Sequence, residues 1–103
     1  MAYQPVMIQT FTTTGTIRGV GQLIALILAD ATAGAFTLTL PPSAATIGQL
    51  LIIKKTDASI NAVTVARAGS DTIEGLTTVL LATQYASVMV VTSGSGIWMR
   101  MLI

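Results

Sequence analysis

The feature that most constrains this chain is an alternation of apolar and small polar residues with a period of two, renewed about every ten residues along its length. In Ala35-Phe36-Thr37-Leu38-Thr39-Leu40, the apolar Phe36, Leu38 and Leu40 fall on one side and Thr37 and Thr39 on the other. That spacing sorts side chains onto the two faces of a β-strand. Pro41-Pro42 ends the strand, because proline has no N–H to give to a ladder. Residues 61–67 repeat the pattern with Val63 and Val65 inward, and shorter runs at 72–73, 77–81, 85–92 and 97–102 continue it. Asp57-Ala58-Ser59 and Ala68-Gly69-Ser70-Asp71 read as turns, and Ser93-Gly94-Ser95-Gly96 as the loop of a hairpin.

Residues 6–12 and 16–20 predict two further strands. Residues 22–29 admit a two-turn helix, but Ile24, Leu26 and Leu28 alternate with Ala25, Ile27 and Ala29, and turn residues bracket the run, so a strand is expected there. Nine or ten short strands predict a single all-β domain, an antiparallel β-sandwich or barrel of jelly-roll type. Residues 1–29 form an N-terminal arm with the first strands, and residues 30–103 a β-rich module.

Several strands are apolar on both faces: residues 49–53, 88–91 and 97–101. An antiparallel sheet that faces water on one side needs polar residues there. This chain has few to offer, with 9% charged residues and 52% hydrophobic, against ~25% charged in ordinary domains. Leaving a second apolar face wet costs ~25 cal/mol per Å² and exceeds the patches that monomers expose. The expectation is an obligate oligomer. A bilayer is not the alternative cover, since the longest apolar run, residues 20–29, is interrupted by Gln22, closed by Asp30, and shorter than the ~20 residues a spanning helix needs. The N-terminus lacks the basic segment and apolar stretch of a secretory signal, so the chain reads as soluble and made in a cytoplasm. A net charge of +1 from scattered cations excludes a field able to hold nucleic acid; the adjacent Lys54 and Lys55 are read as a strand end emerging into water.

Chemistry is equally sparse. There is no histidine and no cysteine, hence no imidazole base, thiolate or disulfide. The carboxylates are Asp30, Asp57, Asp71 and Glu74; only Asp71 and Glu74 are close in sequence, in a turn-rich segment, too few for a calcium loop and without the defined pairing of a glycosidase. The glycine-containing stretches lack the spacing and lysine of a phosphate loop. Phe36 and Trp98 sit at core-like strand positions rather than as exposed stacking platforms. No catalytic, cofactor-binding or metal-binding residue is expected, and the chain does not read as an enzyme.

From Asp30 onward the signals follow a particular order: Asp30-Ala31-Thr32-Ala33-Gly34; Phe36 to Pro41; Gly48; Ile53-Lys54-Lys55-Thr56-Asp57-Ala58-Ser59; Asn61-Ala62-Val63-Thr64-Val65; Gly69; Ile73-Glu74-Gly75; Gln84-Tyr85-Ala86-Ser87-Val88; Gly96-Ile97-Trp98. This order resembles a β-rich module of tailed-bacteriophage virion proteins, both tail fibre or spike proteins and small capsid-associated proteins. The lysine-through-asparagine stretch is its most specific part, and residues 1–29 carry none of it. The resemblance implies a structural, all-β, homotrimeric virion component, with Lys54, Lys55, Asp57 and Asn61 in turn-forming roles. Within that class, an independent short chain fits a capsid decoration (cement) protein that binds the major capsid protein on the outside of a phage head. The alternative is a tail fibre, spike or baseplate component. A glycan-binding or glycan-cleaving module is a third reading, opposed by the missing acid–base groups. Candidate interface residues are Tyr3, Val6, Ile8 and Phe11, for contact with the shell or a neighbouring trimer. Met89, Val91, Trp98, Met99 and Met101 are candidates for core or subunit interface.

Overall fold

The computed structural model describes residues 7–18 and 24–101, and these are all-β apart from one short 3-10 turn. Ten strands are present: β1 (Met7–Phe11), β2 (Gly15–Thr16), β3 (Ile24–Ala29), β4 (Phe36–Thr39), β5 (Leu50–Lys55), β6 (Val63–Ala66), β7 (Thr72–Ile73), β8 (Thr78–Leu81), β9 (Ser87–Thr92) and β10 (Ile97–Met101). They lie where the period-two pattern puts them, except that the strand expected over residues 16–20 is the two-residue β2, which ends at Thr16, with residues 19–20 outside the described residues. The run Ile24–Ala29 is a strand, with outward Ile24, Leu26 and Leu28 half-buried and inward Ala25, Ile27 and Ala29 buried. Pro41-Pro42 follows the end of β4 and leads into the 3-10 turn Ser43–Ala45.

The strands form two sheets, one of six strands in the order β1-β3-β5-β9-β10-β7 and one of four in the order β2-β4-β6-β8. The expectation of an antiparallel sandwich, barrel or jelly roll is corrected here. Successive strands from β1 to β6 alternate between the sheets, and each pairs in parallel with the strand two places on: β1 with β3, β3 with β5, β2 with β4, and β4 with β6. The winding is that of a solenoid whose coils stack, not of a sheet that meanders or closes on itself. Antiparallel pairing comes in only after β6, where β8 adds to β6, β9 to β5 and β10 to β9. The hairpin expected at residues 93–96 joins β9 and β10.

The far end is finished by a tight reversal. Ile73 and Leu76 exchange backbone hydrogen bonds (2.8 and 3.0 Å) around Glu74-Gly75, both at positive φ, +52° and +86°. A two-residue hairpin turn of this hand requires positive φ at both positions, and glycine supplies it without strain at the second.

The core lies between the sheets. Ala25, Ile27, Leu51, Ile53, Val90 and Trp98 from the larger sheet meet Phe36, Leu38, Val63, Val65 and Leu81 from the smaller, all buried. Among the described residues no helix is long and apolar enough to cross a membrane.

Candidate functional site

The two outer faces of the molecule differ in chemistry. On the four-stranded sheet the outward positions include Thr16, Thr37, Thr39, Thr64 and Thr78, a face that hydroxyl groups keep compatible with water, with Ala66 and Leu80 as its apolar exceptions. On the six-stranded sheet the outward positions form rows running across the strands. The strand register aligns Ile8, Leu26, Ile52, Met89 and Met101 in one unbroken apolar row. Beside it lie Ile24, Leu50, Val91 and Met99. The row on the other side is mixed: Thr10, Leu28, Lys54 and Ser87. Lys54 is the one charged side chain on this face among the described residues. Its Nζ donates to the Tyr85 carbonyl at 3.2 Å and stands 5.5 Å from the Tyr85 ring centre, at the margin of the apolar rows.

This face comes from strands apolar on both sides. Leu50, Leu51, Ile52 and Ile53 put two residues inward and two outward, and the outward pair is half-buried. Parallel sheets carry such continuous apolar runs because both their faces are normally covered. Here the inner face has the core and the outer face has no cover within the described residues. A shallow depression lined by Ile47, Val91 and Met99 continues the apolar surface beyond the edge of the rows.

The candidate interface residues divide between the two faces. Ile8 (57% exposed), Met99 (45%) and Met101 (48%) point outward, with half-buried Met89 and Val91 between them. Phe11 is half-buried and packs against the core, and Trp98 is fully buried within it, on the core side of the two roles open to it. The Trp98 indole N–H has no hydrogen-bond partner among the described residues. Tyr3 and Val6 lie outside the described residues. Apolar residues of the same face not singled out from the sequence are Ile24, Leu26, Leu28, Leu50 and Ile52. The two-sided apolar runs were the signal for them, but which side faces out is set by the strand register.

The second constellation is polar and buried. Lys55 was expected to emerge into water, and this is corrected: the side chain is fully buried, inward beside Ala29. Its Nζ donates to the Asp57 carboxylate, the Asp57 carbonyl and the Ser59 carbonyl, each at 2.9 Å. All three ammonium protons thus have acceptors. The Asp57 carboxylate also accepts the Ala31 N–H (2.7 Å), the Ser59 N–H (3.1 Å) and the Ser59 hydroxyl. Asn61 Nδ2 donates to the Ala31 carbonyl at 2.9 Å. Burial pushes the Asp57 pKa up, but the Ser59 hydroxyl, the Ala31 N–H and the Lys55 ammonium outweigh it and hold the carboxyl well below its usual range. Ala31 belongs to the connection between β3 and β4, and Asp57, Ser59 and Asn61 to that between β5 and β6. The cluster therefore ties the corner of one coil to the corner of the next.

The remaining carboxylates are also engaged in structure. Asp71 accepts the Ser43 N–H at 2.8 Å. Glu74 accepts the Arg100 N–H at 3.0 Å and pairs with the Arg100 guanidinium at 3.2 Å. The Arg100 N–H, and then its guanidinium, hold the Glu74 carboxyl below its usual range. Among the described residues no group of three or more metal-ligating side chains converges.

Compared with models of known protein families and with curated proteins, the sequence matches none.

Proposed function

We propose that the chain is a structural component of a tailed-bacteriophage virion, a non-enzymatic capsid decoration protein that binds the outside of the assembled head as a homotrimer. The observation that carries the reading is the unpartnered apolar face of the six-stranded sheet, which sets this molecule up to associate. The order of signals from Asp30 to Trp98 supplies the virion context, through its resemblance to phage head and tail modules. The polar groups support the same reading, since Lys55, Asp57 and Asn61 serve the stacking of coils. A decoration protein acts by mass action: binding only the assembled shell stabilises that state by its differential affinity. Several shell contacts made at once add avidity.

One observation favours a tail fibre or spike component as the second reading. Solenoid coils extend by stacking, and the first coil presents β1 and β2 as sheet edges, a construction that lends itself to elongated assemblies. The two readings part on binding. Purified protein mixed with empty phage shells is expected to co-sediment with them to a saturating, fixed ratio to shell subunits and to raise the temperature at which they rupture. Failure to bind shells, with the protein found in virions only at tail copy number, would overturn the decoration reading in favour of the tail.

A further inference from the structure

We infer that three copies of the chain close around a three-fold axis through the outer face of the six-stranded sheet, with the row Ile8, Leu26, Ile52, Met89 and Met101 along that axis. The inference rests on the trimeric reading above and assigns it an interface.

The dimensions of the face carry the argument. Its strands are five to six residues long, roughly 17–20 Å at ~3.3 Å per residue. Three strands of that length, set as the sides of a triangle, lie about 5–6 Å from its centre, close to half of the ~10 Å at which two sheets pack face to face. Leu, Ile and Met side chains standing on the three sheets then fill the interior without a void. Along the axis, β1, β3, β5, β9 and β10 give a stack of about 20 Å at ~4.8 Å per strand. Each copy thus contributes roughly 350–400 Å² in projection, and the protruding side chains bring the accessible area nearer the ~800 Å² per partner of a standard stable interface.

Charge permits the arrangement. The central row carries no charged residue, so three copies meeting on the axis bring no like charges together. Lys54 sits in the flanking row, already held by Tyr85, where the corner of the triangle leaves its ammonium wet. At each corner the row Ile24, Leu50, Val91 and Met99 of one copy meets the Thr10-to-Ser87 row of the next. The contact is therefore heterologous, the kind that closes into a ring.

The test uses the absence of native cysteine. Ile52→Cys is treated with a maleimide in the folded state, beside Thr64→Cys on the opposite outer face as control, and the solution mass of both is measured. The expected result is a trimer in which the Ile52→Cys thiol is protected until the protein is unfolded in urea, while the Thr64→Cys thiol reacts at once. Ile52→Asp is expected to lower the solution mass to that of a single chain while the β circular-dichroism spectrum persists; should that variant fail to fold, the cysteine result decides alone. A trimer in which the Ile52→Cys thiol reacts as freely as the Thr64→Cys thiol would overturn the assigned face and leave the trimeric reading standing. A protected thiol in a dimer would overturn the three-fold axis. A monomer whose Ile52→Cys thiol becomes protected only on phage shells would give the face to the capsid and overturn the inference. A monomer that binds no shells would overturn the proposed function as well.

Discussion

Lys55 shows how a single residue changes meaning once its neighbours are in place. A cation next to a second cation suggests a wetted strand end, yet it is buried with all three of its protons accepted. Removing one partner of a buried ion pair costs more than the pair itself contributes, because the other charge stays behind. Lys55→Met is therefore expected to destabilise the fold by ~3–5 kcal/mol, read as a lower urea midpoint. A change of less than ~1 kcal/mol would show that the ammonium is not the keystone of that corner. Acid should act on the same groups. The carboxyls of Asp30, Asp57 and Glu74 all have folded pKa values below their ordinary ones. Their stabilisation is present in full above the unfolded carboxylate range of ~3.9–4.3 and is lost as pH falls through the folded values. The urea midpoint should stay level from neutral pH to about pH 5 and drop below about pH 4; Asp57→Asn should shrink that drop. A midpoint that rises on acidification would contradict the assignment.

At the scale of the element, each strand presents one side to the core and one outward, and the two sides should respond differently to truncation. Ile27, buried in the middle of β3, is expected to cost ~2–5 kcal/mol as Ile27→Ala. Leu80, outward on β8 and 60% exposed, should stay within ~0.5 kcal/mol as Leu80→Ala. Comparable losses at both sites would mean that the smaller sheet's outer face is also covered. The strands themselves were legible in the sequence, because alternation reports which side of a strand a residue takes. Their direction was not, since period two is the same for parallel and antiparallel neighbours. A hint lay in the all-apolar runs Ile24-Ala25-Leu26-Ile27-Leu28-Ala29 and Leu50-Leu51-Ile52-Ile53, which suit parallel strands covered on both faces. No repeat betrays the solenoid, because its coils are unequal: Met7 pairs with Ala25, 18 residues on (25 − 7), while Ile24 pairs with Leu50, 26 residues on (50 − 24). The buried corner was hidden for another reason. Its parts, Ala31 and the Asp57-to-Asn61 segment, are neighbours only after the coils stack.

For the whole molecule the governing fact is asymmetry: one outer sheet face dressed in threonine, the other in leucine, isoleucine, valine and methionine. A chain with 9% charged residues can be stable in water if it keeps its apolar face against other copies of itself. The shortage of charge was visible from composition, and two-sided strands pointed to association. Which strands share the apolar outer face emerged only from the register. It gathers Ile8 from the first described strand and Met101 from the last into one row. The most direct measurement of this account is the mass of the purified wild-type protein in solution, by light scattering coupled to size exclusion. The account predicts a single species near three times 10.7 kDa that persists on dilution. A clean 10.7 kDa monomer would contradict it, because the apolar face would then stand in water unaided.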